Sequence, residues 1–260
     1  GSQILLIVRW VVPLWLLGWL VLPGTSRLFP ALPAKGLAAG RFIALILLTL
    51  FCFWGASLHL LSLVFAPVFF IGVPLLLALS YKKPQLRKSL WDSRRALLLS
   101  DLIFLIAFGF FLWLRCRFPE ANNLEKPMDM ALLAAASRAH FLPFQNFWFS
   151  GTPFTNYYYF GPLLGALTAR TLATPPWFAY NLVQPAICAF FLSVLWSLGA
   201  ALCKSARRGL VVMLLVGCAG NLEPLRQIWL NHKLWPIDWW STSRVIPGTI
   251  NEYPAFTLGI

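Results

Sequence analysis

The stretch 125–138, "EKPMDMALLAAASR", sets two carboxylates four residues apart among two cations. Glu125 or Asp129 can take a proton from a hydroxyl nucleophile, or hold a divalent cation through hard oxygen ligands. Arg138 and Lys126 suit a phosphate group, the first by a bidentate grip and the second as a point charge. Each residue also has a structural alternative. Pro127 fits the first turn of a helix, so Asp129 equally complements a helix dipole, worth about 0.3–1 kcal/mol. Lys126 and Arg138 equally suit lipid headgroups or local ion pairs. Downstream, "NFWFSGTPFTNYYYFG" (146–161) brings aromatics and turn residues. Tyr157, Tyr158 and Tyr159 can stack on a sugar or a prenyl chain, or belong to an interfacial aromatic belt. A second polar window holds His232, Asp238, Arg244, Asn251 and Glu252, and can complete a site with the first. His59, His140 and His232 read as surface histidines, and Asn156 and Asn181 as polar caps near a membrane surface.

The elements that position these residues are apolar. The chain has 260 residues, 59% of them hydrophobic and 11% charged. Its mean hydropathy is +0.73. A soluble domain carries about 25% charged residues, so the composition is that of a multi-spanning membrane protein. The net charge of +13 is spread over short segments between apolar runs, with no basic soluble domain to bind nucleic acid. Such segments set topology and meet anionic lipids. Five cysteines show no CxxC pair and read mainly as small buried hydrophobes.

Runs of spanning length lie at about 4–22, 41–58, 60–80, 96–115 and 177–203. A shorter run at 209–219 is completed by tilt or by neighbours, and a seventh begins near Pro254. The expectation is an all-α, multi-pass transmembrane helix bundle of six to seven spans. Lys82, Lys83, Arg87, Lys88, Arg94 and Arg95 mark loop 81–95 as cytoplasmic. Arg27, Lys35 and Arg41 mark the first loop as inside, and Lys204, Arg207 and Arg208 do so for "KSARR". The N-terminus is then extracytoplasmic, and 116–157 faces outward. If 158–173 crossed, "KSARR" would fall outside. That segment is short and holds Pro162 and Arg170, so it is expected to lie along the outer interface or dip in and return. Six of the eight acids then fall in the two outer windows, with Asp92 inside and Asp101 within a helix. Asp101 is expected to snorkel or to pair with Arg94 or Arg95.

Five stretches carry a resemblance: "EKPMDMALLAAASR", "FW", "GTPFTNYYYFGPLLGAL", "PPWFAYNL" and "RVIPGTINEYPAF". Together they resemble the Chlor-Arch-YYY membrane proteins of bacteria and archaea, a family named for its tyrosine run. That family is distantly similar to GT-C glycosyltransferases, which use lipid-linked sugar donors. The resemblance implies a prokaryotic cytoplasmic (inner) membrane protein with an outer-loop acid followed by a juxtamembrane helix. Asp129, with Glu125 beside it, matches the loop acid. Lys126, Tyr157, Tyr158, Tyr159, Asn251 and Glu252 stand at positions matching the family pattern. Residues 1–95 read as an N-terminal extension of three spans and a basic cytoplasmic loop. Residues 96–260 read as a GT-C-like membrane domain, expected to continue beyond the last residue into an acid- and histidine-bearing stretch.

The implied function is a glycosyltransferase with a polyprenyl-phosphate-linked sugar as donor, working at the outer face. A divalent cation is left open as cofactor, and Arg138 or Arg244 would steady the departing phosphate. The alternative is a non-catalytic subunit that holds other membrane proteins of a larger complex. A transporter fits less well, because no pair of broken spanning helices is visible. Membrane lipids are expected partners in each case.

Overall fold

The computed structural model describes residues 2–82, 84–117, 119–121, 126–155, 157–218 and 223–232. It is an all-α, multi-pass bundle. Ten helices follow in chain order among the described residues: α1 (Ser2–Leu28), α2 (Leu37–Ser57), α3 (Ala66–Ala78), α4 (Pro84–Asp92), α5 (Arg94–Arg117), α6 (Lys126–Arg138), α7 (Phe160–Thr171), α8 (Pro176–Leu202), α9 (Ala206–Cys218) and α10 (Glu223–Asn231). In lipid a helix satisfies its own backbone polar groups, which is why each long apolar run is helical. Among the described residues five segments are long and apolar enough to cross a membrane: Gln3–Leu28, Leu37–Ser57, Leu63–Lys82, Arg94–Arg117 and Pro176–Leu202. They coincide with the five long runs of the sequence.

The shorter run forms α9, whose 13 residues reach about 20 Å at 1.5 Å per residue. That falls short of a hydrocarbon core of about 30 Å. The span expected near Pro254 lies outside the described residues. Helix α7 has 12 residues and is also too short to cross alone. It packs mainly on α6 and also on α3 and α8, and buries Leu163, Leu164, Ala166, Leu167 and Ala169. The segment 158–173 is therefore a short helix seated on its neighbour.

The connections gather at two ends. At one, the Leu63 amide donates to the His140 carbonyl at 2.8 Å, and the Leu142 amide to the Ala56 carbonyl at 3.3 Å. These bonds tie the α2–α3 connection to the loop after α6. At the other end Leu22, Ala34, Leu37, Leu90, Leu97, Trp196, Ala200 and Met213 form a buried cluster joining α1, α2, α4, α5, α8 and α9. Between the ends runs the main core, from Trp10 and Leu14 through Leu45 and Cys52 to Phe104, Leu132, Leu167 and Phe190. It crosses the sequence boundary at 95, so the first two helices pack into the same core as α5–α8. Helix α8 packs most extensively on α9 and α5. Gly199 of α8 and Gly209 of α9 let those two backbones approach, since a Cβ would meet Val212 at 2.7 Å from the first and Ala200 at 2.6 Å from the second; packing rather than hydrophobicity joins helices in lipid.

Asp101 corrects the expectation drawn from its neighbours. It pairs with Arg41 of α2, and neither Arg94 nor Arg95 is its partner. Trp19 Nε1 donates to Asp101 Oδ2 at 2.9 Å, and Arg41 Nε to the Trp15 carbonyl at 3.3 Å. The Arg41 guanidinium lies 4.8 Å above the Phe104 ring. Arg94 is exposed instead, stacked on Trp91 at 5.0 Å. The physical reason is distance along α5: Arg94 and Arg95 stand six to seven residues before Asp101, about 10 Å along the axis, and are exposed at the helix start, whereas Trp19 of α1 and Arg41 of α2 reach Asp101 laterally. Gly18 opens the path, since a Cβ there would meet Arg41 Cγ and Nε at 2.5 Å. Arg41 is thus no loop residue marking a membrane side. It is 0% exposed within α2.

Candidate functional site

Helix α6 starts with Pro127 and Asp129 in its first turn and ends on Arg138, in keeping with its dipole. Leu132, Leu133, Ala135 and Ala136 recur on one face and are buried. Its C-terminus is held by α7. Arg170 Nη2 donates to the Ser137 carbonyl at 2.6 Å and to the Ala139 carbonyl at 2.9 Å. Burial lowers the Arg170 pKa from its ordinary value, yet a guanidinium stays charged at neutral pH. The arginine that argued against a crossing segment is a clamp on the helix that carries Asp129.

Asp129 is half-buried. Both α5 and α6 pack on α8, and Asp129 of α6 and Arg115 of α5 both lie within electrostatic range of Tyr180 on α8. Arg115 Nε donates to Asn181 Oδ1 at 2.8 Å, and its guanidinium lies 5.3 Å from the Tyr180 ring centre. Asn181 is thus the acceptor for a buried arginine and not a helix cap. The cluster joins an acid, a cation, a phenol and an amide at the end of a spanning helix. Such a set can take up a proton and hold an anionic oxygen in a partly desolvated setting.

Sequence reasoning passed over Arg115. Its signal was present: an arginine inside the last turn of a spanning run, where an ionisable group needs a partner. Lys126 and Arg138 stand at opposite ends of α6, about 18 Å apart along the axis at 1.5 Å per residue. They do not grip one phosphate together.

The three tyrosines separate. Tyr158 is exposed, and its ring stacks on Tyr157 at 4.2 Å, with 3.1 Å between the hydroxyls. Tyr159 instead enters an aromatic cluster, 4.8 Å from Phe144 and 6.3 Å from Phe53. Burial raises its pKa from the ordinary value, so its phenol stays neutral near pH 7. Phe144 and Phe154 stack at 5.3 Å. The Asn146 side chain accepts from the Trp148 amide at 2.8 Å, closing the loop that carries exposed Trp148 and Phe149.

Glu125, Asn156, Asp238, Arg244, Asn251 and Glu252 lie outside the described residues. Among the described residues no three His, Cys, Asp or Glu side chains gather to hold a metal ion. His59 stacks on Phe141 at 5.1 Å. Among the described residues a small apolar pocket lies between α1, α2, α7 and α8, and an open surface groove is lined by Val11, Trp15 and the exposed Val12 and Leu105. Asp129 lines neither.

No significant match is found among curated proteins or solved structures. A family model does match, over residues 47–259. The match begins within α2 and takes in Asp129, the tyrosine run and the second polar window. This covers well over half of the chain, which therefore belongs to the family of uncharacterized membrane proteins known as DUF2298.

Proposed function

We propose that this protein is a membrane glycosyltransferase of GT-C type, whose donor is a polyprenyl-phosphate-linked sugar. The observation that carries this reading is the placement of Asp129. It stands on a helix too short to cross, within electrostatic range of Tyr180, whose ring meets the guanidinium of buried Arg115. A donor with a hydrocarbon tail reaches such a point laterally from the bilayer. Asp129 acts as general base on the acceptor hydroxyl, a role worth about 10²–10⁴-fold in rate, or holds a divalent cation. Arg115 adds positive charge where the sugar–phosphate bond breaks. Glu125, Lys126, Arg138, Tyr157, Tyr158, Tyr159, Arg244, Asn251 and Glu252 remain candidates for donor and acceptor contacts. The end that carries Asp129 faces outward from a prokaryotic inner membrane, because the cations of α4 and those around the start of α9, Lys204, Arg207 and Arg208, lie at the other end.

The test is release of polyprenyl phosphate from a panel of polyprenyl-phosphate sugars by the full-length protein in nanodiscs. Wild type should release it, and Asp129→Asn should not. Equal release by both removes Asp129 from the chemistry.

A second reading is a non-catalytic subunit of a larger membrane complex. It is favoured by the exposed aromatics Trp148, Phe149 and Tyr158 at the same end, which suit a protein partner. Stoichiometric copurification with other subunits, with Asp129→Asn silent, would support it.

A further inference from the structure

The end of the bundle opposite Asp129 carries the greatest density of exposed cations. Helix α4 begins two residues after the spanning segment Leu63–Lys82 ends, and α5 begins two residues after α4 ends. With no spacer on either side, α4 lies at the bilayer surface. Its residues divide accordingly. Leu90 is buried and Leu86 packs partly against the same cluster, whereas Lys82, Arg87, Lys88, Arg94 and Arg95 are exposed. Trp91 is 68% exposed, with the Arg94 guanidinium over its ring. An indole paired with cations at headgroup depth fits the boundary between acyl chains and phosphates.

The helix is held in this pose. Arg87 Nε donates to the Tyr81 carbonyl at 3.0 Å, and the Tyr81 hydroxyl to the Trp19 carbonyl at 2.5 Å. A second cationic group lies at the same end. Lys204, Arg207 and Arg208 are exposed around the start of α9. The Trp196 indole donates to the Ala206 carbonyl at 3.2 Å there. Met213 of α9 shares a buried cluster with Leu90 of α4 and Leu97 of α5. Asp92 is the one acid in α4.

We infer that this face is a binding surface for anionic phospholipid headgroups, with α4 as an interfacial helix and Arg207 and Arg208 as its second contact. The charge is complementary, and the surface is already at headgroup depth. Cations that only orient the chain during insertion need no bound lipid afterwards. An acidic protein partner would need no phospholipid at all.

The test is native mass spectrometry of the full-length protein released from nanodiscs that mix phosphatidylcholine and phosphatidylglycerol. Phosphatidylglycerol should be retained several-fold over its share of the bilayer. High salt should strip that preference from the wild type, because exposed charges are screened beyond a Debye length of about 10 Å at 0.1 M. The variant R87Q/K88Q/R94Q/R95Q should lose most of it. An Arg117→Gln control, at the exposed opposite end of α5, should keep it. Equal retention of the two lipids, or an equal loss from the control, would overturn the inference. So would a salt-insensitive preference in the wild type, which keeps the test valid if the quadruple variant misfolds.

Discussion

Two buried arginines of this bundle meet different fates. Arg41 is sealed in the membrane, with Asp101 as counter-ion, Trp19 on that acid, the Trp15 carbonyl on its Nε and Phe104 beneath it. Arg115 sits at the end of α5 with a neutral amide and a phenol as neighbours, and the acid near it, Asp129, is only half-buried. The first charge is neutralised within the core. The second is anchored by neutral groups and keeps charge to offer at the bundle mouth. A buried pair closes a structure, whereas an arginine held by neutral partners can still act on a ligand.

That contrast can be broken at its strongest point. Arg41→Ala strands Asp101 in the core, and Asp101→Ala strands Arg41. Each should cost about 3–5 kcal/mol, read as a large fall in thermal unfolding temperature in neutral detergent. The double variant R41M/D101L should recover most of that loss, because two apolar side chains leave no charge unpaired. A double variant as unstable as either single one would show that the pair specifies the fold and not merely its own neutrality.

A smaller effect is expected at the other arginine. Arg115→Gln removes a charged hydrogen bond to Asn181, worth about 1.5–3 kcal/mol, and the guanidinium contact with the Tyr180 ring. Its neighbours are neutral and near the bilayer surface, so the fall in unfolding temperature should be smaller than for Arg41. Donor turnover should drop more than stability does. A stability loss equal to that of Arg41→Ala would erase the distinction between the two sites.

The smallest effect separates the tyrosines. Tyr158→Ala should change stability by no more than about 0.5 kcal/mol, as for other exposed positions. Tyr159→Ala should cost more, since its ring packs among Phe144, Phe154 and Phe53. Equal unfolding temperatures for the two variants would contradict their different surroundings.

The same contrast explains what the sequence could say. The five long spans were legible because uninterrupted apolar runs leave one backbone solution in lipid. That 158–173 forms no helix long enough to span was legible from its shortness, Pro162 and Arg170, together with the charge parity of "KSARR". The Arg41–Asp101 pair was not legible. Its partners are 60 residues apart, and a rule that treats arginines near span boundaries as loop markers hides one that turns inward. Asp129 was found because it lies in a polar window, and Arg115 was missed because it closes an apolar one. The split of exposed Tyr158 from Tyr157 and Tyr159, which pack on the core, depends on loop packing, which no periodicity encodes. The second polar window, with Arg244, Asn251 and Glu252, lies outside the described residues, so its relation to Asp129 rests on sequence.

The central claim is that the half-buried acid on α6 works on a substrate while the sealed acid on α5 holds the fold. Its most direct test measures polyprenyl-phosphate release and unfolding temperature together for Asp129→Asn and Asp101→Asn. The expected result is lost release with unchanged unfolding for Asp129→Asn, and a marked fall in unfolding temperature for Asp101→Asn. Undiminished release by Asp129→Asn, or equal destabilisation by both substitutions, would contradict the account.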